Sequence, residues 1–297
     1  MNWTGVFPAV TTKFTPKDEL DIPTFILNIR HQLEAGVHGI ILGGTLGESS
    51  TLSQGEKEIL VKKTLDITEN KVPVILNIAE GSLKEAIRQT ELAKNWGVGG
   101  LMVLPPMRYH SDHRETVNYF SKIADSTDLP IMIYNNPVDY KIEVTLDIFE
   151  ELINHHNIQA VKESTRDISN ITRMLNRFGD RFSILCGVDT LALESLMMGA
   201  NGWVAGLVCA FPKETMAIYN LQKEGNYQKA LEIYRWFLPL LELDIHSKLV
   251  QYIKLAEKME GIGSEHVREP RLTLIDQEHK SVTEIILKAQ KNRPILN

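Results

Sequence analysis

The chain has 297 residues, 43% of them hydrophobic and 24% charged, with a formal net charge of −6. That composition is ordinary for a folded globular protein and excludes a disordered chain, and the acidic balance argues against a nucleic-acid partner, whose phosphates call for clustered Lys and Arg. Two cysteines, Cys186 and Cys209, are too few for a disulfide framework and read as reduced core thiols.

Met1, Asn2, Trp3 and Thr4 do not form a basic lead into an apolar run, and no apolar stretch approaches about 18 residues. A cytoplasmic protein that neither crosses nor binds a membrane is the expectation. In chain order, short apolar runs predict strands over 6–11, 39–43, 72–77, 100–104, 130–135, 158–162, 182–187 and 202–207. Between most of them, helical periodicity predicts helices over 55–69, Leu83–Trp96, 115–125, 146–153, 168–178 and 190–198. Ser53 with Glu56, and Ser82 with Glu85, have the spacing of capping boxes at helix starts.

Alternating strands and helices require a parallel sheet. Segments such as 72–77 (VPVIL followed by Asn) and 130–135 are continuously apolar and do not alternate, as expected when both faces are covered. An open doubly wound sheet produces a similar local pattern. Eight regular units without an early G-x-G-x-x-G turn favour closure into a (β/α)8 TIM barrel. The strands stop near 211, and helices predicted over 215–223, Tyr227–Leu241 and 245–260 have no Pro/Gly/Ser-rich linker before them. The expectation is one domain, with barrel core 1–211 and C-terminal helical extension 212–297.

In a TIM barrel the chemistry sits where the strands end. Lys162 ends the run Ile158-Gln159-Ala160-Val161. An amine at an apolar barrel rim loses hydration, so its neutral, nucleophilic form is favoured toward carbonyl carbon; the alternative is a lysine that reaches solvent or pairs with Glu163. The preceding strand ends in Tyr134-Asn135-Asn136-Pro137, placing Tyr134 at the same rim as a proton-transfer group or as a packed barrel tyrosine. The loop Gly43-Gly44-Thr45-Leu46-Gly47-Glu48-Ser49 offers backbone N–H groups and the Thr45 hydroxyl to a carboxylate, and lacks the Lys-Ser/Thr ending of a nucleotide loop. His110, Asp112 and His113 suggest either a metal site or, with Glu115, a helix start, and the second reading is preferred. Arg166 and Asp167 either reach the pocket or open the next helix.

The motifs Gly44-Thr45-Leu46-Gly47-Glu48-Ser49, Tyr134-Asn135-Asn136-Pro137, Val161-Lys162-Glu163-Ser164 and Cys186-Gly187-Val188-Asp189 resemble, in order and spacing, the dihydrodipicolinate synthase/N-acetylneuraminate lyase family. The likeness covers essentially the whole chain. It implies that Lys162 is the Schiff-base lysine and Tyr134 the proton-transfer tyrosine. Thr45, the Leu46 N–H and the adjacent Gly44 would bind a 2-oxo acid carboxylate, with Val204 at the same end of the substrate. It further implies no metal or organic cofactor, a small 2-oxo acid or cyclic imine as substrate, and a homotetramer or homodimer.

Two departures from the dihydrodipicolinate synthase pattern shape the expected reaction. Met107, within Pro105-Pro106-Met107-Arg108-Tyr109, stands where the resemblance expects a relay tyrosine, and Asp139 stands where it expects an arginine for the aldehyde's carboxylate. With Tyr140, these residues resemble the branch acting on 1-pyrroline-4-hydroxy-2-carboxylate. The expected activity is therefore its deamination to 2,5-dioxopentanoate and ammonia, with weak dihydrodipicolinate synthase activity. The alternatives are an aldolase or dehydratase of a 2-keto-3-deoxy sugar acid, dihydrodipicolinate synthase itself, and a noncatalytic 2-oxo-acid-binding barrel.

Overall fold

The computed structural model describes residues 1–106 and 109–296. Its strands are β1 Gly5–Pro8, β2 Ile40–Leu42, β3 Val74–Ile78, β4 Gly100–Val103, β5 Ile131–Asn135, β6 Ile158–Glu163, β7 Ser183–Cys186 and β8 Gly202–Ala205. Around them run α1 Ile22–Glu34, α2 Gln54–Thr68, α3 Leu83–Trp96, α4 His113–Asp125, the single turn α5 Pro137–Tyr140, α6 Leu146–Glu151, α7 Ser169–Phe178 and α8 Ala192–Met197. The C-terminal part adds α9 Pro212–Lys223, α10 Tyr227–Leu241, α11 Leu249–Met259 and α12 Asp276–Lys291.

Each strand from β2 to β8 pairs in parallel with the next, and β8 pairs with β1. Closure comes from a parallel bridge between Ala9 and Ile41, where the Val10 N–H donates to the Ile41 carbonyl at 3.0 Å. The architecture is the expected (β/α)8 barrel. Every residue of β1 to β5 and of β8 is buried, so strands covered by barrel interior on one side and helices on the other have no need of polar alternation. Among the described residues, no helix is long and apolar enough to cross a membrane.

Local signals operate with some corrections. Ser53 and Glu56 form the full capping box of α2. At α3 the Glu85 N–H donates to Ser82 Oγ at 3.3 Å, but the Glu85 carboxylate turns away to Arg88 and Gln89, leaving half a box. Helix α1, which the sequence reading passes over, starts at Asp21, whose carboxylate accepts from the Thr24 N–H at 3.1 Å, and has Pro23 in its first turn. The helix expected over 245–260 begins only at Leu249; residues Glu242–Ile245 form a short 3-10 turn ahead of it.

Buried ion pairs fasten α11 to the loops above the barrel. Glu257 lies 2.8 Å from Lys13 with both side chains fully buried, and it also accepts from Thr11 Oγ1 and Asn28 Nδ2. Lys254 pairs with Glu48, whose second oxygen accepts from the Arg268 N–H at 3.0 Å. These bonds hold the turn over Glu242–Ile245 against the C-terminal ends of the strands, which brings the extension into the site.

Candidate active site

A cavity of about 490 Å³ opens at the C-terminal ends of the strands. Gly44, Thr45, Leu46, Tyr134, Asp139, Tyr140, Lys162, Arg166 and Val204 all line it. Met107 lies outside the described residues. His110 and Asp167 are exposed and are not among the lining residues, and Asp167 instead pairs with Arg173 at 2.7 Å. Asp112 caps α4 in a capping box, and His113 sits 2.5 Å from Glu151.

The register of β5 and β6 places Tyr134 opposite Lys162 and Asn135 opposite Glu163. Because successive side chains on a strand point to opposite faces, the first pair faces the cavity and the second faces the helices. Asn135 exchanges hydrogen bonds with the backbone of Val144 at 2.9 and 3.1 Å, while Glu163 accepts from Asn170 and from the Thr165 N–H. The outward pair thus fixes the loops that flank the inward pair.

Lys162 is only 8% exposed, and its Nζ lies 4.1 Å from the centre of the Tyr134 ring. Burial lowers its pKa, against the opposing pull of Tyr140, Asp244 and Asp189, so a larger fraction of the amine is neutral than in an ordinary lysine. The side chain has room to run past β7 because residue 187 is glycine. A Cβ there would lie 2.6 Å from Lys162 Cγ, 2.7 Å from Cε and 2.2 Å from Ser164 Oγ.

Tyr134 is held at its hydroxyl by Asn136 Nδ2 at 3.1 Å, and burial pushes its phenol up to about 12. It stays a protonated donor at neutral pH. Its ring meets that of Tyr140 edge-on at 5.6 Å, and the Tyr140 hydroxyl shares a hydrogen bond of 2.9 Å with Thr45 Oγ1. Lys162, Tyr134, Tyr140 and Thr45 therefore form one connected line of groups across the cavity.

Asp139 lines the cavity. Its side chain is not desolvated: the residue is exposed, Oδ2 accepts from Asn136 Nδ2 at 2.7 Å, and its N–H donates back to Asn136 Oδ1. Solvent screening weakens any repulsion of an anionic substrate by such a carboxylate. Asp139 thus stands, where the resemblance expects an arginine, as an exposed carboxylate bonded to Asn136.

Two residues of the site stand outside the sequence-based set of lining groups. Asp189 is fully buried and accepts from Trp203 Nε1 at 2.8 Å, from the Leu207 N–H at 2.8 Å and from the Gly206 N–H at 3.2 Å. It ties the loop after β7 to the loop after β8 and so positions Val204. The Cys186-Gly187-Val188-Asp189 motif signalled its presence but not this task. Asp244, on the turn Glu242–Ile245, lines the cavity beside Gly206, His246 and Leu249. The sequence reading leaves Asp244 in the gap between the helices expected over Tyr227–Leu241 and 245–260, where no motif marks it.

Comparison with known proteins places this geometry in a family. Residues 2–290 match the model of the dihydrodipicolinate synthetase family. A 4-hydroxy-tetrahydrodipicolinate synthase of Methanospirillum hungatei is 32% identical over 94% of this chain and 96% of its own length. The enzyme of the same name from Exiguobacterium sibiricum is 32% identical over 92% of each chain. The solved structure of the 4-hydroxy-tetrahydrodipicolinate synthase from Methylacidiphilum fumariolicum superposes with a TM-score of 0.91 at 28% identity, covering 98% of both chains.

These relatives overturn the expected deamination of a hydroxypyrroline carboxylate, since full-length similarity leads to enzymes named as synthases. That expectation leaned on Met107 and on Asp139 in place of an arginine; the first lies outside the described residues, and the second is exposed and bonded to Asn136. The chain belongs to the dihydrodipicolinate synthetase family and is a lyase of the lysine Schiff-base class.

Proposed function

We propose that the protein is a 4-hydroxy-tetrahydrodipicolinate synthase that holds pyruvate as an imine on Lys162 and joins it to an aldehyde carrying its own carboxylate. The observation that carries this reading is the pairing of Tyr134 with Lys162 at the floor of the cavity, with the amine buried beside a protonated phenol. Neutral Lys162 attacks the 2-oxo carbon and water leaves. The iminium then withdraws electrons so that a C3 proton is released, and the enamine adds to the aldehyde. Tyr134 carries protons between these steps, the kind of transfer a positioned hydroxyl accelerates.

The carboxylate of the 2-oxo acid is assigned to Thr45 Oγ1 and the Leu46 N–H beside Gly44, with Val204 closing the same end. Tyr140 keeps the Thr45 hydroxyl aimed through their 2.9 Å hydrogen bond. Arg166, which lines the cavity and has no ion pair among the described residues, supplies a positive charge for the aldehyde's carboxylate. Assembly into a homotetramer or homodimer belongs to the same reading.

A second reading, a 2-keto-3-deoxy sugar acid aldolase or dehydratase, uses the same imine. Asp139 and Asp244, two carboxylates on the cavity wall, favour it as acceptors for sugar hydroxyls. The test compares kcat/KM for pyruvate plus aspartate semialdehyde with that for a panel of 2-keto-3-deoxy sugar acids. Condensation is expected to be the faster reaction by a clear margin, and a faster cleavage or dehydration of a sugar acid would replace the first reading by the second.

A further inference from the structure

Forming an imine from an amine and a ketone moves an oxygen as well as protons. The oxygen of the 2-oxo group becomes a carbinolamine hydroxyl and then leaves as water, so a buried site needs a polar seat for it beside the amine.

Ser164 offers such a seat. It follows Lys162 by two residues on the segment that leaves β6, so both side chains share the cavity face while Glu163 between them turns outward. The Ser164 N–H donates to the Asn135 carbonyl at 2.9 Å, which carries the pairing with β5 one residue past the end of β6. Ser164 Oγ and Lys162 Cε lie 2.2 and 2.7 Å from the point where a Cβ on residue 187 would stand. The hydroxyl and the ε-carbon are therefore close neighbours, in space that Gly187 leaves open.

Ser164 is 2% exposed, and its Oγ has no hydrogen-bond partner within the chain. Among the described residues it is the one buried side-chain oxygen or nitrogen without such a partner that lines this cavity. The neighbouring hydroxyls are engaged, Tyr134 by Asn136 and Thr45 by Tyr140. A buried hydroxyl left unpaired is costly, and alanine would fill the same place in the backbone without that cost. Ser164 is thus held ready for an oxygen that arrives with the substrate.

We propose that Ser164 is a further catalytic residue, whose hydroxyl holds the oxygen that leaves the 2-oxo carbon; the inference rests on the Schiff-base reading of this site. The carbon joined to Lys162 Nζ carries its oxygen into the space shared by Cε and Ser164 Oγ. Tyr134 gives its proton to the carbinolamine hydroxyl; the C–O bond breaks, and the nitrogen lone pair closes the C=N bond. The products are the iminium cation, one water molecule and the Tyr134 phenolate. Ser164 donates a hydrogen bond to the departing oxygen and keeps its own proton throughout. In the reverse direction it holds the water that adds to the imine while the Tyr134 phenolate takes that water's proton.

The test compares wild type, Ser164→Ala and Ser164→Thr by rapid-quench borohydride trapping with pyruvate, by intact-mass spectrometry of the same mixtures and by thermal melting. At saturating pyruvate the alanine variant should form trappable imine about 10-fold more slowly, the scale of one hydrogen bond lost from the transition state. The pyruvate concentration that gives half the maximal rate should stay near that of wild type. The alanine variant should also show an adduct heavier than the imine by one water, the stalled carbinolamine. Its melting temperature should hold or rise, because an unpaired buried hydroxyl is gone. Ser164→Thr, which keeps a hydroxyl, should recover most of the rate. Trapping by Ser164→Ala at the wild-type rate, a slowing that saturating pyruvate abolishes, or equal slowing in Ser164→Thr overturns the role of Ser164 and leaves Lys162 intact. A wild type that traps no pyruvate overturns both.

Discussion

Lys162 and Tyr134 occupy the same rung of adjacent strands, with the amine nitrogen 4.1 Å from the centre of the phenol ring. Parallel register fixes the nucleophile and the proton carrier to one another through backbone hydrogen bonds, without a flexible loop between them. A site built on strands in this way holds its geometry more tightly than one built on loops.

Tyr134→Phe keeps the ring above Lys162 and removes only the hydroxyl that Asn136 holds at 3.1 Å. Turnover should fall by about 10²-fold or more while the melting temperature changes little. Steady-state kinetics with pyruvate and the aldehyde check this, and an unchanged kcat would reduce Tyr134 to a packing residue.

Thr45→Val removes the hydroxyl assigned to the substrate carboxylate and breaks the bond to Tyr140. A hydrogen bond to a charged group contributes about 1.5–3 kcal/mol, so kcat/KM for the 2-oxo acid should fall by roughly 10–150-fold. The same variant should still be labelled at Lys162 when pyruvate is raised to saturation. Wild-type kcat/KM would remove Thr45 from the carboxylate site.

The pH dependence of imine formation follows from the lowered pKa of Lys162. Only the neutral amine attacks, so the rate rises with pH as protonated Lys162 is titrated, and this rise should be complete well below the ordinary lysine range near about 10.4. A rate of trapping that keeps climbing to the ordinary lysine pKa would contradict the burial argument.

Much of this architecture is legible in the sequence because a barrel strand is short, apolar on both faces and ends at a defined rim. Lys162 stands out for that reason, as a charge closing Ile158-Gln159-Ala160-Val161. Asp244 is illegible in the same terms. Its position depends on the docking of α11 through Lys254 and Glu257, which sets the preceding turn over the barrel mouth. Asp139 was visible as a charge, but its sign alone does not reveal that Asn136 engages it and solvent reaches it. The substrate is the least legible feature, because it is selected by the outer wall, where residues from several loops meet only after the barrel closes.

The same docking makes a stability prediction. Glu257→Ala leaves Lys13 fully buried without its counter-ion and deprives Thr11 and Asn28 of an acceptor. Removing one member of a buried pair costs about 3–5 kcal/mol, which urea unfolding measures directly. A loss below about 1 kcal/mol, the scale of a surface ion pair, would show that the network does not fasten α11 to the barrel.

The central claim is that Lys162 forms a covalent imine with a 2-oxo acid. Incubating the protein with pyruvate and borohydride, then locating the added mass by peptide mass spectrometry, tests it most directly. The account predicts one irreversible adduct, on the peptide containing Lys162, and none in Lys162→Ala with its fold retained. An adduct on other lysines alone, or full turnover by Lys162→Ala, would contradict it.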